Sequence, residues 1–142
     1  MAPNHMVVIL LCVILVHTMF DSTLAQYQFK KYTIRIINKI GTSPKVSLRC
    51  QSKDDDLGTH VLGYGEEFNW TFRVNFMMST LYFCHFQWKD KDITFDVFEV
   101  YLGSTMCDRE YIWEVKEDAF YQGCEGEIPK EAYYGGWNKS AD

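Results

Sequence analysis

Along most of the chain, apolar and polar residues alternate with the period of two that a strand imposes, because successive side chains point to opposite faces. In KYTIRIIN (31–38), Tyr32, Ile34 and Ile36 alternate with Thr33 and Arg35. In KVSLRCQ (45–51), Val46, Leu48 and Cys50 alternate with Ser47, Arg49 and Gln51. EFNWTFRV (67–74) places Phe68, Trp70, Phe72 and Val74 opposite Asn69, Thr71 and Arg73, and EYIWEVK (110–116) places Tyr111, Trp113 and Val115 opposite Glu110, Glu114 and Lys116. TLYFCHFQW (80–88) and ITFDVFEVY (93–101) are apolar on both faces near their middles, which is expected of central strands. Turn residues Gly41, Pro44, Gly58, Gly63, Gly65 and Gly103 separate these segments. The pattern predicts an all-β sandwich or barrel. After Cys124 the alternation stops, and residues 125–142 read as a tail with Tyr134 or Trp137 against the body.

The amino-terminal end follows another pattern. Val7 to Val16 form an unbroken apolar run, too short for a span of ~20 residues but suited to the core of a secretory signal peptide. Thr23-Leu24-Ala25 supplies small residues where a signal peptidase reads, so residues 1–25 are expected to be cleaved. No Lys or Arg precedes the run, and the competing reading is an uncleaved anchor. Removal would leave residues 26–142, one domain in size, soluble, secreted, not inserted in a membrane and expected to be monomeric. The mature chain would carry 18 acidic and 14 basic residues, net −4, with no clustered basic face for nucleic acid.

Cys12 lies in the signal segment, leaving Cys50, Cys84, Cys107 and Cys124. Four cysteines in a short secreted domain read as two disulfides, with three pairings open. The spacings of paired zinc ligands are absent, so no metal or cofactor is expected. Aromatic residues make up 16% of the chain, enough to build a core from few positions. Two sequons, at Asn69 and Asn138, are candidate glycosylation sites.

Catalytic chemistry has little to stand on. The mature chain has two histidines, His60 and His85, and lacks a nucleophile elbow or phosphate-cradling loop. Asp54, Asp55 and Asp56 are consecutive, whereas a calcium loop of the EF-hand type alternates its acids. They read as a solvated turn after Cys50, with some carboxylates shaping the turn and others facing solvent. Loops are also where binding resides.

The string LRCQSKDDDLG (48–58) resembles the signature of the plant self-incompatibility S-proteins and their homologues. Further blocks follow in the same order: Asn38; Leu62, Gly65, Phe68, Trp70 and Phe72; Thr80 to Cys84 with Trp88; Phe95 and Val97; Cys107; and Trp113 to Asp118 before Tyr121. The resemblance covers nearly all of residues 32–121. It implies a small antiparallel β-sandwich stabilised by two disulfides, here residues 26–124. In the poppy-type system a pistil-expressed member is a ligand that a transmembrane partner on incompatible pollen recognises, after which calcium enters and the pollen tube dies. For this chain the resemblance implies an extracellular ligand of a cell-surface receptor, in self-incompatibility or a related developmental or defence process, and not an enzyme. The implied contact loop is Ser52, Lys53, Asp54, Asp55, Asp56 and His60. Many relatives carry a cysteine where this chain has Tyr111, and tend to have glycine at Ala119; the pairing of Cys107 therefore stays open. The alternatives are a secreted hydrolase using His60 and loop acids, or a wall-glycan binder using Tyr133, Tyr134 and Trp137.

Overall fold

A computed structural model of the chain describes residues 4–100, 106–127, 132–134 and 136–137. The chain forms two compact units, Met1–Lys30 and Lys31–Asp142. The first is helix α1, His5–Phe29, whose apolar side chains from Met6 to Val16 are exposed. The helix continues through the expected cleavage point after Ala25. Among the described residues, no helix is long and apolar enough to cross a membrane.

The second unit holds strands β1 (Lys31–Asn38), β2 (Val46–Gln51), β3 (Asp56–Leu62), β4 (Glu67–Arg73), β5 (Leu81–Trp88), β6 (Lys91–Glu99), β7 (Glu110–Val115), β8 (Phe120–Cys124) and β9 (Ala132–Tyr134). One sheet has the order β4-β1-β7-β8-β9 and the other β3-β2-β5-β6. The alternation now has a physical partner. Tyr32, Ile34, Ile36, Tyr111, Trp113 and Val115 of the first sheet are buried with Val46, Leu48, Cys84, Phe86 and Phe95 of the second. The sandwich is therefore the fold that the period-two pattern required, since each sheet has one apolar face to cover.

The second sheet contains a built-in irregularity. Tyr82 pairs with Phe98 and Phe83 with Asp96, so Val97 is a bulge residue, and both Val97 and Phe98 are buried. The Trp113 indole N–H crosses the core and donates to the Val97 carbonyl at 3.0 Å. Asn38 is the buried polar residue of the core. Its amide donates to the Leu62 carbonyl at 2.9 Å and its Oδ1 accepts from Ile40 N–H at 2.8 Å. The side chain thus serves buried backbone groups both past the end of β1 and at the end of β3.

Several details differ from the sequence reading. The sandwich is not wholly antiparallel: β1 and β7 run parallel, with Thr33 opposite Glu110 and Asn38 opposite Val115. Such a pairing joins distant segments and leaves no trace in local alternation. The central-strand reading holds for β5, which lies between β2 and β6, but β6 is an edge strand with Asp92, Thr94 and Asp96 exposed. The expected tail after Cys124 contributes β9, which pairs antiparallel with β8, and Trp137 is buried. β3 and β8 also lie outside the segments read as strands, because each breaks alternation with a glycine, Gly58 and Gly123.

The cysteine pairing is Cys50–Cys84 and Cys107–Cys124. Cys50 and Cys84 are direct cross-strand partners on β2 and β5. Tyr111, at the position where the resemblance led one to look for cysteine, lies opposite Cys124, and its hydroxyl accepts from Cys107 N–H at 3.1 Å. Ala119 occupies the β7–β8 turn without a positive φ, so alanine costs nothing there.

Candidate functional site: the acidic turn and the cleft beside it

The β2–β3 connection is organised by a serine before any aspartate. Ser52 Oγ accepts from the N–H of Asp54 at 3.3 Å and of Asp55 at 3.0 Å, while Ser52 N–H donates to the Asp55 carbonyl at 2.8 Å. These bonds satisfy the donors that a tight turn exposes. The three carboxylates then take three different roles. Asp56 opens β3, accepts from Gly58 N–H at 3.0 Å and pairs with the Arg49 guanidinium, whose Nε lies 3.2 Å from Oδ1 and whose Nη2 is closer to Oδ2. Gly58 has φ +79°, the left-handed region that a side chain would strain. Asp55 accepts from the Tyr82 hydroxyl at 3.2 Å. The Asp54 carboxylate and Lys53 ammonium form no hydrogen bond or ion pair among the described residues, and both residues are exposed.

The electrostatics follow from these contacts. The Arg49 hydrogen bonds, followed by the Gly58 N–H, hold the Asp56 carboxyl down at about 2. Burial, followed by the Asp55 charge, pushes the Tyr82 phenol up. Asp56 has a folded pKa below its unfolded value of about 3.9. Its pairing therefore supports the turn above that unfolded value and is lost as pH falls through about 2. An NMR titration of the Asp56 carboxyl is expected to show the low midpoint, and Arg49→Gln should move it up toward the ordinary carboxylate range. An unchanged midpoint in that variant would remove the ion pair as its cause.

Beside the turn lies a cleft of about 430 Å³, lined by Ser52 to Asp55, by Arg73 at the end of β4, by Asn75 and Met77 of the following loop, and by Ser79 to Phe83 leading into and beginning β5. One wall carries Asp54 and Asp55, and the other carries Arg73. Tyr82 falls in the Thr80–Cys84 block, whereas no motif marks Arg73, Asn75 or Ser79. They meet the turn only because β4 of one sheet hands the chain to β5 of the other.

His60 is the member of the implied contact loop that the fold sets apart. It pairs in register with Leu48 and so points inward, where its ring stacks on Phe68 at 3.7 Å and Nε2 lies 2.9 Å from the Leu57 carbonyl. His85 pairs with Arg49 and points outward, with Nε2 2.7 Å from Asp92 Oδ2. The two imidazoles face opposite sides of one sheet, so no paired acid–base site is assembled from them. Among the described residues, no group of three His, Cys, Asp or Glu side chains is placed to hold a metal ion. Asn69 and Thr71 are exposed on the edge strand β4, where the Asn69 amide donates to Glu67 at 3.1 Å. Asn138 lies outside the described residues. Tyr133 and Tyr134 lie in β9, and the burial of Trp137 removes it as an exposed platform for glycans.

Two packed sheets, two disulfides and a rigid polar turn define a small disulfide-stabilised β-sandwich whose distinguishing chemistry sits in its loops. Residues 33–137 match the plant self-incompatibility protein S1 family, and the chain belongs to it. S-protein homolog 6 of Arabidopsis thaliana is 46% identical over 87 residues, 61% of this chain and 62% of that protein. S-protein homolog 5 of the same plant is 38% identical over 85 residues, 60% of this chain and 65% of that protein. The chain thus spans less than two thirds of the length of these relatives. A solved structure of self-incompatibility protein homologues, described as a widespread family of small, highly stable, secreted proteins from plants, shares the fold at a TM-score of 0.62 and 19% identity. That likeness covers 78% of this chain and 96% of that one.

Proposed function

We propose that this S-protein homologue is secreted after removal of residues 1–25 and acts as an extracellular ligand, read by a cell-surface receptor through the Ser52–Asp56 turn and its cleft. The response would be self-incompatibility between pollen and pistil or a related developmental or defence process. The observation that carries the reading is the division of labour in the turn. Ser52 and Asp56 fix the backbone, Asp55 is engaged by Tyr82, and Lys53 and Asp54 project unpaired. A turn held rigid before binding loses little entropy on docking, and its unpaired charges confer selectivity and fast encounter.

The test is saturable binding of the labelled, oxidised protein to plasma membranes from plant tissues. Lys53→Gln with Asp54→Asn leaves every bond of the turn in place, so folding should be unchanged while binding weakens by about tenfold or more, the loss of at least one buried charge contact. Full binding by that variant would move the contact surface elsewhere. The absence of saturable binding in every tissue would end the ligand reading. A hydrolase is the weaker alternative because the two histidines stand on opposite faces of a sheet.

A further inference from the structure

The loop from Asn75 to Thr80, between β4 and β5, displays the two most exposed large apolar side chains among the described residues of the sheet unit. Phe76 is 77% exposed and Met77 78% exposed. This is a built display. Asn75 Oδ1 accepts from Ser79 N–H at 2.9 Å, Asn75 Nδ2 donates to Ser79 Oγ at 3.1 Å, and Asn75 N–H donates to Thr80 Oγ1 at 2.8 Å. Met78 N–H closes the turn on the Asn75 carbonyl at 3.0 Å, with Met78 at φ +51° and packed against the core. With Met78 anchoring the loop from within, Phe76 and Met77 are held outward.

The charges behind this tip are the second observation. Arg73 ends β4 and lies directly opposite Lys31 of β1. Like charges at such a position oppose strand pairing. Neither forms an ion pair among the described residues, nor does Lys53, which lines the cleft with Arg73 and Met77. Asp55 and Asp56 of the neighbouring turn are already engaged, while Asp54, Asp96 opposite Phe83, Glu99 at the end of β6 and, past the end of β8, Glu125 and Glu127 form no ion pair among the described residues. Arg73 and Phe76 stand three positions apart, with Val74 and Asn75 between them, at most about 11 Å of chain. That matches the depth of about 5–10 Å at which apolar groups reach the acyl boundary while cations stay among the headgroups. An apolar tip held by its own hydrogen bonds, with Arg73 and Lys31 side by side behind it, fits a bilayer surface.

We infer that the Asn75–Thr80 loop is a membrane-surface anchor: Phe76 and Met77 enter the headgroup–acyl boundary of an anionic bilayer, and Lys31 and Arg73 meet its lipid phosphates and carboxylates. The anchor borders the cleft assigned to the receptor but rests on different side chains from Lys53 and Asp54, and it would concentrate a secreted ligand at the cell surface. The test is co-sedimentation of the disulfide-bonded protein, recovered from the medium of plant cells secreting it, with phosphatidylcholine vesicles holding either none or about 30 mol % phosphatidylserine. Binding is expected to the anionic vesicles and to fade as salt rises about tenfold. Phe76→Ser with Met77→Ser should weaken it by at least about tenfold, and Lys31→Gln with Arg73→Gln by about thirty-fold. Circular dichroism and thermal midpoints matching the parent keep these variants interpretable. Failure to sediment with either vesicle, or binding that survives Phe76→Ser with Met77→Ser, overturns the proposal. Protease-sensitive binding to plant membranes without any vesicle binding overturns it in favour of a protein partner, and leaves the receptor reading standing.

Discussion

Replacing Trp137 with alanine is expected to destabilise the sandwich by about 3–5 kcal/mol, the range for truncating a buried tryptophan. The residue is 2% exposed, with ring centroids 4.8 Å from Phe120 and 5.7 Å from Trp88. Its indole N–H donates to the Lys116 carbonyl at 2.9 Å, so truncation leaves both a cavity and an unpaired carbonyl at the β7–β8 turn. The preceding glycine fixes how the chain reaches this pocket: a Cβ on Gly136 would stand 2.7 Å from the backbone oxygen of Asp118. Urea unfolding of Trp137→Ala beside the parent measures the loss. A cost below about 1 kcal/mol, the size of an ordinary surface change, would return the segment to the status of a tail.

Removing the Cys50–Cys84 bridge, by changing both residues to alanine, is expected to cost roughly 4 kcal/mol, and removing Cys107–Cys124 roughly 3 kcal/mol. The order follows from sequence separations of 34 and 17 residues, because the longer loop gives the unfolded chain more freedom to lose. The first bridge also joins inward-facing partners on β2 and β5, both fully buried in the core. Cys50 stands two residues before Ser52, so the same variant should loosen the acidic turn. Denaturant midpoints of the two double variants, with amide exchange at Asp54 and Asp55, test both points. A larger loss from the Cys107–Cys124 variant would show that native contacts around that bridge, and not chain entropy, set the order.

The candidate site was legible in part. The Ser-Lys-Asp-Asp-Asp string located the turn, and the taste of aspartate for turn backbone suggested that some of its carboxylates were structural. Which ones could not be read. Asp54, Asp55 and Asp56 are identical as letters, and differ because Arg49 faces Asp56 across the β2–β3 pair while Tyr82 reaches Asp55 from β5. His60 was grouped with the turn by proximity in sequence, yet its register opposite Leu48 turns it inward. The cleft had no sequence signal, since its walls come from segments brought together by the sandwich.

The sequence by itself determined the strand faces, because a period of two commits every second side chain to one side, and four cysteines with an apolar leader pointed to a disulfide-bonded domain. Only the tertiary structure decided the parallel β1–β7 pairing, the partners of the cysteines, the ninth strand with its buried Trp137, and the separate roles of three adjacent aspartates. Each of these depends on which distant segment lies opposite, a choice made by packing two apolar faces together and left open by local periodicity.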